Sequence, residues 1–225
     1  TFGGRIYTLG GFAGGGVCTA EAYDPAADAW TTGLSPMPTA RWRPLAAVVG
    51  DKIYVISGSG SSAVEAYDPA ADTWTAGLDP VPTPRGTCCG AVVEGKIYVV
   101  ADGDAVEAYD PAADTWDANL ASAPFPRMNA ACAAVDGRIY LLGGYDQVSG
   151  KHNIPVTAYD PASDTWFTGN ARIPTPREQP ACVAWGGLIY AAGGHFGADH
   201  DLDDFEVYDP VADAWAVLPA MPTGR

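Results

Sequence analysis

The sequence is poor in basic residues and in long apolar stretches. Lysine and arginine together number 12 against 27 acidic residues, which gives a formal net charge of −15. A field of that sign repels phosphate backbones and anionic lipid surfaces, so we expect neither nucleic acid nor a membrane as a partner. No apolar run approaches the ~18 residues that cross a bilayer, and no charged-then-apolar leader is visible. Both an extracellular and a cytoplasmic location are compatible with this sequence.

Cysteine and histidine are also scarce. The five cysteines show no paired spacing and no Cys-x-x-Cys, which makes a poor disulfide framework. Cys132 and Cys182 occupy the repeat position of Ala46 and Gly90, so we interpret them as small packing residues, with a reactive or metal-binding thiol as the alternative. The sequence also lacks a phosphate-binding loop, a nucleophile elbow and a signature of paired catalytic carboxylates.

The sequence does contain five copies of one phrase, Tyr-Asp-Pro-x-x-Asp-x-Trp. The copies are Tyr23–Trp30, Tyr67–Trp74, Tyr109–Trp116, Tyr159–Trp166 and Tyr208–Trp215. Their tryptophans lie 44, 42, 50 and 49 residues apart. A fixed Trp at a period in the forties indicates stacked copies of one supersecondary unit. We therefore predict a single domain, residues 1–225, with repeats at about 1–36, 37–80, 81–122, 123–172 and 173–225.

Each repeat is predicted to form four short strands. In the second repeat an apolar run at 45–49 and alternating segments at 52–57 and 63–67 precede a strand at 73–75. The Asp-Pro turn separates the third strand from the fourth. No stretch shows helical periodicity. Four short antiparallel strands with an aromatic motif predict an all-β fold of propeller blades, in which the Tyr and Trp side chains pack between neighbouring blades.

These residues resemble the kelch repeat family over essentially the whole chain. The resemblance rests on the Tyr-Asp-Pro and Trp of each copy, on the Ile-Tyr of the second strand, and on the pairs Gly10-Gly11, Gly143-Gly144 and Gly193-Gly194. Ser57-Gly58 and Ala101-Asp102 replace the glycine pair in the second and third copies, where we expect a different turn. The resemblance implies a β-propeller of four-stranded blades. It also implies a ligand face made of the linkers and the loops between second and third strands, as in kelch-type substrate adaptors.

The first blade is expected to be incomplete. Each linker arginine lies 12 residues before the next Ile, as from Arg41 to Ile53, yet Thr1 lies only five residues before Ile6. The first blade should therefore lack most of its innermost strand. We expect either a longer chain with at least one further repeat, or a ring whose missing strand is disordered or donated by another molecule. An open strand edge of this kind also favours self-association.

The linker arginines are the first candidate ligand site. A ring would bring their guanidinium groups to one mouth of the channel, where each could bind a carboxylate in a bidentate fork. An acidic peptide or a sialic-acid-like sugar would suit such a mouth. In the alternative interpretation, each arginine stem packs on its linker and its head pairs with a neighbouring carboxylate. The set comprises Arg41, Arg85, Arg127, Arg177 and Arg225.

The loop at 194–204 is a weak candidate for calcium or a transition metal. Three of its aspartates have the alternate spacing of a calcium loop, but Asp204 stands where Gly is required and Pro210 where Glu is required. Two histidines could bind a transition metal with these aspartates. A solvated acidic loop is the alternative, and no other cofactor is indicated. The candidate ligands are Asp199, Asp201, Asp203, His195 and His200.

The loop at 144–155 is the third candidate. It is long and rich in polar and aromatic residues, and long loops on a rigid scaffold often carry recognition. Tyr145, Lys151 and His152 are its predicted ligand contacts, together with His195 from the corresponding loop of the last repeat.

The function that these features favour is a non-enzymatic binding module that presents a loop-rich propeller face to a protein or glycan ligand, including an anionic one. One alternative, which the kelch resemblance allows, is an enzyme similar to sugar-acid isomerases with an Arg-lined pocket. Another is a structural module that assembles through its open edge. An enzyme needs an acid or base within hydrogen-bond reach of a pocket, and the sequence alone prefers no such arrangement.

Overall fold

The computed structural model describes residues 1–100, 103–146, 148–152, 154–197 and 201–225. Within them, 19 strands form five small antiparallel sheets. The all-β prediction is therefore confirmed. No helix in this part of the chain has the length and hydrophobicity needed to cross a membrane.

Each predicted repeat contains the strands of one sheet. The first sheet comprises β1 (Ile6–Leu9), β2 (Ala20–Asp24) and β3 (Ala29–Thr31). The second comprises β4 (Leu45–Val49), β5 (Lys52–Ile56), β6 (Val64–Asp68) and β7 (Thr73–Thr75). The third comprises β8 (Cys89–Val93), β9 (Lys96–Val100), β10 (Glu107–Asp110) and β11 (Thr115–Asp117). The fourth comprises β12 (Ala131–Val135), β13 (Arg138–Leu142), β14 (Pro155–Asp160) and β15 (Thr165–Arg172). The fifth comprises β16 (Ala181–Trp185), β17 (Leu188–Ala192), β18 (Phe205–Asp209) and β19 (Ala214–Leu218).

Strand order follows chain order in every sheet, which is the meander expected of a propeller blade. The first sheet has three strands, as predicted from the short distance between Thr1 and Ile6. The sheets belong to two compact units. One contains Thr1–Cys88, Gly95–Ile97 and Tyr109–Asp117, and the other contains Cys89–Glu94, Tyr98–Ala108 and Ala118–Arg225.

Every sheet has two chemically different ends. In the four-stranded sheets, the hairpin end carries the turns that join the first strand to the second and the third to the fourth. In the first sheet, β1, β2 and β3 correspond to the second, third and fourth strands. The linker end carries the loop between the second and third strands and the linker to the next repeat. The Tyr-Asp-Pro-x-x-Asp-x-Trp phrase forms the second of the two turns at the hairpin end, and the candidate ligand residues lie at the linker end.

The hairpin end has the same hydrogen bonds in all five repeats. The tyrosine of each phrase donates its hydroxyl to the second aspartate at 2.5–2.9 Å. That aspartate adopts a left-handed backbone conformation with φ between 48° and 53°, a region that Asp tolerates well. The first aspartate accepts the backbone N–H two residues later at 2.8–3.1 Å. One turn chemistry therefore explains the repeated phrase.

The core lies between neighbouring sheets. In the second unit, Tyr98 and Val100 of the third sheet pack against Ile139 and Tyr159 of the fourth. Tyr140 and its neighbours in the fourth sheet pack against Ile189 and Tyr208 of the fifth in the same way. The rings of Tyr98 and Tyr159 lie 6.0 Å apart. The predicted burial of the motif tyrosine between blades is therefore confirmed at these contacts.

The glycine pair lies against the linker carbonyl. Gly143 has a φ of 62°, and a Cβ there would lie 2.7 Å from the Arg177 carbonyl oxygen, so a side chain has little room. Ser57 occupies this position in the second repeat with a φ of 57°, and its hydroxyl donates to the Arg85 carbonyl at 3.0 Å. The turn that follows nevertheless differs, as expected, because Gly60 rather than Gly58 donates its N–H to the Arg85 carbonyl, at 3.1 Å, whereas Gly144 donates to the Arg177 carbonyl at 2.8 Å in the fourth repeat. The corresponding residues of the third repeat, 101 and 102, lie outside the described ranges.

A disulfide joins Cys89 in β8 to Cys132 in β12, with a Cα–Cα distance of 5.4 Å. The interpretation of Cys132 as a small packing residue is therefore wrong. The two cysteines lie 43 residues apart because they come from the first strands of successive repeats. A local spacing rule cannot find such a pair. Cys182, at the position of Cys132 in the next repeat, carries a free thiol.

Candidate functional site

The first four linker arginines are buried at the linker end of their sheets, whereas Arg225 is exposed. Arg41 donates to the carbonyls of Ser57 and Ala63 at 3.2 and 2.8 Å and forms an ion pair with Glu65. These carbonyls flank the loop between β5 and β6. The guanidinium therefore holds that loop to the linker from inside.

Arg177 makes the corresponding contacts in the fifth repeat. It donates to the carbonyls of Gly193 and Asp204 at 3.0 and 3.1 Å and pairs with Glu206 at 2.7 Å. Burial raises the pKa of Glu206, and the charge of Arg177 opposes that shift. At Arg41 and Arg177 the geometry favours the interpretation in which the arginine head pairs with a neighbouring carboxylate. A direct ligand contact by the arginines stays a prediction.

Arg127 differs in its partners. Thr157 stands where Glu65 and Glu206 stand in the second and fifth repeats, and its hydroxyl lies 3.1 Å from the guanidinium. Arg127 also donates to the carbonyls of Pro155 and Leu141 at 2.8 and 3.3 Å. Burial lowers the pKa of Arg127 to about 9, and the negative charge of Asp146 partly opposes that shift. The linker arginines therefore share a place in the fold but differ in their charge balance.

A group of polar and aromatic side chains lies at the linker ends of the fourth and fifth sheets. We call it the His152–Glu178 cluster, and it comprises Asn129, Tyr145, His152, Glu178, Gln179 and Phe196. His152 Nε2 lies 2.7 Å from one Glu178 oxygen, and the Asn129 amide donates to the other at 2.6 Å. The His152 ring lies between Tyr145 and Phe196, with centroid distances of 4.8 and 5.0 Å.

Backbone hydrogen bonds position this cluster. Glu178 and His195 exchange two such bonds, at 2.8 and 2.9 Å, which fixes the linker against the loop of the fifth sheet. Met128 and Tyr145 exchange the same pair at 2.9 Å in the fourth repeat. The candidate side chains therefore project from loops that are tied to a strand framework.

Two linker residues of the cluster have unusual backbones. Asn129 and Gln179 have φ values of 55° and 53°, uncommon for residues other than glycine. Their side-chain amides form a hydrogen bond at 2.9 Å, and the Gln179 N–H donates to the Asn129 carbonyl at 2.7 Å. Such conformations concentrate at ligand sites, where surrounding contacts hold them in place.

Glu178 is held as a carboxylate. Burial alone would raise its pKa, but hydrogen bonds from Asn129 and His152 and the nearby charges of His152 and His195 bring the pKa below its ordinary value. Because the Glu178 carboxylate already accepts two strong hydrogen bonds, its role is to position Asn129 and His152 rather than to contact a ligand. The faces left for a ligand are the rings of Tyr145 and Phe196 and the partly exposed edge of His152.

The first unit has a different cluster at its linker end. The exposed Phe12 meets Trp42 edge to face with a centroid distance of 5.8 Å, and the Arg43 guanidinium lies 4.9 Å from the Trp42 ring. The backbone N–H of Trp42 donates to the Ser59 hydroxyl at 2.9 Å. Arg43 has a φ of 55° at the position of Asn129 and Gln179.

The sequence predicted part of this chemistry. The predicted residues include Tyr145, His152 and His195, which the structure brings to one place, and Lys151, which is exposed beside them. The residues that were not predicted are Asn129, Glu178, Gln179 and Phe196 in the second unit, and Phe12 and Trp42 in the first. Most of these residues lie one or two positions after a linker arginine or directly after a glycine pair. The residue type at these positions differs from repeat to repeat, and this variation is the sequence signal that could have identified them.

The proposed metal loop is only partly described. Asp199 and His200 lie outside the described residues. His195, Asp201 and Asp203 are described, and His195 pairs with Asp201 through a backbone bridge. In the part of the chain that the structure covers, no three His, Cys, Asp or Glu side chains lie close enough to hold a metal ion. Metal binding by the whole loop stays a prediction.

Comparisons with known proteins agree with the repeat pattern. The model of a family described as "Kelch motif" matches residues 1–37, 126–170 and 176–222, which together exceed half of the chain. The solved structure of YjhT is similar with a TM-score of 0.74 and 20% sequence identity, over 84% of this chain and 68% of that one. At that identity the similarity concerns the fold alone. No curated protein matches the sequence.

Proposed function

Because the chain belongs to the kelch-motif family, we propose that it is a binding module whose ligand site is the His152–Glu178 cluster, and that the ligand is a glycan. The observation that carries the proposal is the His152 imidazole, hydrogen-bonded to Glu178 and placed between the rings of Tyr145 and Phe196. Loops on a rigid β scaffold are the usual place for such a site.

The chemistry of the cluster suits a hydroxyl-rich ligand. Tyr145 and Phe196 offer flat apolar surface next to groups that donate and accept hydrogen bonds, a combination that recognition sites use often. The imidazole edge, the Tyr145 hydroxyl and the Gln179 amide supply both kinds of polar group. The exposed Lys151 adds a positive charge, which favours a glycan with a carboxylate.

The cluster is also prepared before any ligand arrives. Asn129 and His152 hold Glu178, and the two-way backbone bonds between Glu178 and His195 hold the linker. Less ordering entropy is then lost on binding than with mobile loops. Binding through a preformed cluster therefore requires no loop closure.

The test is a glycan array followed by calorimetry on the best ligand. Phe196→Ala and His152→Ala should each weaken binding at least ~10-fold, because truncation of a central hot-spot residue commonly costs about 2 kcal/mol, and about 1.4 kcal/mol corresponds to tenfold. Phe167→Ala is the matched control, since Phe167 is similarly exposed on β15 and packs on Arg138 at 4.7 Å, outside the cluster. Equal binding by all three variants and the unmodified protein would remove the cluster from the site.

Two other candidate functions have some support. A protein ligand fits the same aromatic faces, and a peptide array would detect it in place of a glycan. An enzyme is favoured only by the 2.7 Å contact between His152 and Glu178, because a carboxylate that orients a histidine is a common base arrangement. The ion pairs of the buried Arg41 and Arg177 with Glu65 and Glu206 give the sugar-acid isomerase-like candidate less support. Turnover of a bound sugar acid, lost in His152→Ala, would establish the enzymatic candidate.

A further inference from the structure

A cavity of about 500 Å³ lies at the hairpin end of the second unit, where turns of the third, fourth and fifth sheets meet. A volume of this size is usual for a ligand pocket. The cavity lies at the opposite end of the sheets from the His152–Glu178 cluster, so it is separate from the proposed glycan site. We call it the hairpin cavity, and its lining includes Val93, Glu94, Asp136, Arg138, Tyr140 and Val211.

Two acidic side chains of this cavity come from equivalent turns. Glu94 lies between β8 and β9, and Asp136 lies between β12 and β13, with φ values of 50° and 49°. The second and fifth repeats have Gly50 and Gly186 at this position, both with a φ of 60°. Glycine adopts such a backbone more readily than glutamate does. The turn itself therefore does not require a carboxylate, and the two repeats that have one both contribute it to the cavity.

The charges of these two side chains are not neutralised. Among the residues that the structure describes, neither carboxylate has an ion-pair or hydrogen-bond partner. Arg138 also lines the cavity, but its Nε lies 3.3 Å from a carboxylate oxygen of Asp160. Three carboxylates and one guanidinium thus line the cavity, which gives the lining a net charge of −2. In a protein whose overall charge is −15, this excess favours a cationic ligand.

The remaining walls of the hairpin cavity are apolar or aromatic. Tyr140 is buried, and burial raises its pKa, so its hydroxyl stays protonated at neutral pH. A lysine side chain packs its methylene stem on apolar surface while its ammonium group meets polar groups. An ammonium is a compact charge with three donors, which suits carboxylates from two separate turns better than the planar fork of an arginine does. The apolar wall residues are Val93, Pro161, Pro210 and Val211.

We propose that the hairpin cavity binds a lysine side chain from a basic segment of a partner protein. The apolar walls hold the methylene stem, and Glu94 and Asp136 bind the ammonium group. A segment is favoured over a free amine because Asp164 and Asp209 stand on the Asp-Pro turns of the fourth and fifth sheets, so further basic residues of the segment also meet negative charge. The proposal does not depend on the glycan site at the linker end.

The test is fluorescence polarisation of a fluorescein-labelled peptide that contains lysines separated by glycines. The same peptide with every lysine acetylated keeps the stems but loses the charges, and it should bind at least ~10-fold more weakly. Asp136→Asn should weaken binding of the lysine peptide about 3-fold, and Glu94→Gln with Asp136→Asn about 10-fold, as expected for exposed charge pairs. Both sites are exposed, so folding should persist. Equal binding of the two peptides, or of the double variant and the unmodified protein, would overturn the proposal.

Asp51→Asn is the matched control, because it removes one exposed charge from the corresponding turn of the second repeat, outside the cavity. It should leave the affinity unchanged. A loss as large as that of Asp136→Asn would show that only the overall charge attracts the peptide. If Asp136→Asn is misfolded by circular dichroism, Asp136→Gly replaces it, since glycine occupies this position in two other repeats.

Free spermidine separates the two sources of an ammonium group. It should displace the lysine peptide only at a concentration well above that of the unlabelled peptide. Displacement at an equal concentration, weakened by Glu94→Gln with Asp136→Asn, would assign the cavity to a free amine and contradict the assignment to a protein segment.

Discussion

The hairpin end and the linker end of the sheets differ in how closely the repeats resemble one another. At the hairpin end every repeat has the same tyrosine-to-aspartate hydrogen bond and the same left-handed aspartate. At the linker end the fourth and fifth sheets carry the His152–Glu178 cluster, whereas the first unit carries Phe12, Trp42 and Arg43. Uniform chemistry builds the scaffold, and variable chemistry provides the candidate sites.

The linker end is itself divided in depth. Its buried layer consists of arginines that hold loops to linkers, and its outer, partly exposed layer consists of side chains that differ between repeats. Substitutions in the buried layer should therefore change stability, and substitutions in the outer layer should change ligand recognition.

Arg177→Met should destabilise the fold most. The substitution leaves Glu206 buried without its cation, and breaking a buried pair in this way typically costs about 3–5 kcal/mol. The free energy of unfolding in urea, measured at neutral pH, reports the loss. Arg127→Met is the matched control, because Arg127 hydrogen-bonds to uncharged carbonyls and to Thr157 and feels the charge of Asp146 without the direct ion pair seen at Arg177; we expect a loss of about 1–3 kcal/mol there.

The double variant Arg177→Met with Glu206→Met tests whether the loss of stability comes from the unpaired Glu206 carboxylate. Replacing both charges with apolar groups removes the uncompensated carboxylate, so the double variant should be more stable than Arg177→Met alone. If Arg177→Met unfolds no more easily than the unmodified protein, the buried layer has no structural role and the comparison fails.

The disulfide between Cys89 and Cys132 should give the next largest effect. Cys132→Ala removes a cross-link between β8 and β12 with a sequence separation of 43 residues, and such a loss typically costs about 2–4 kcal/mol. Thermal unfolding without reductant measures it. Cys182→Ala, at the same repeat position but with a free thiol, should have a smaller effect. With reductant in all samples, the unmodified protein also lacks the cross-link. Cys132→Ala and Cys182→Ala should then differ from it by similar small amounts in thermal stability.

The sequence predicted the hairpin end well and the linker end only in part. The Asp-Pro turns, the strands of the second repeat and the buried tyrosines follow from local rules on turn residues and alternation. The burial of Arg41 and Arg177 depends on Glu65 and Glu206, which lie 24 and 29 residues further along the chain. The partners of His152 come from its own loop, from the following linker and from the loop of the fifth sheet. Contacts of that range have no local signal in a single sequence.

Tyr159→Phe tests the uniformity of the hairpin end. The change removes a 2.6 Å hydrogen bond to Asp164, which normally contributes about 1 kcal/mol to stability. Tyr67→Phe removes the same bond to Asp72 in the other unit, at 2.7 Å. The two losses should agree within about 0.5 kcal/mol, the usual spread for a hydrogen bond of this kind. Losses that differ by several-fold would show that one phrase serves different roles in different repeats.

Glu178→Gln should have the smallest effect on stability and a distinct dependence on pH. The folded protein holds the pKa of Glu178 below its ordinary value, so the ionised carboxylate contributes stability that is fully present above the unfolded pKa. That contribution is lost as the pH falls through the lower, folded pKa. Because the residue is partly exposed, we expect no more than about 1 kcal/mol.

The difference in unfolding free energy between the unmodified protein and Glu178→Gln isolates this group. Asp72, Asp114 and Asp164 also have lowered pKa values, chiefly because tyrosine hydroxyls donate to them, and they titrate in the same direction. Their contributions cancel in the difference. The difference should shrink towards zero as the pH falls below the ordinary range of a glutamate. A difference that stays constant down to acid pH would mean that the exposed layer of the linker end is held by packing of the His152 ring rather than by the charge of Glu178.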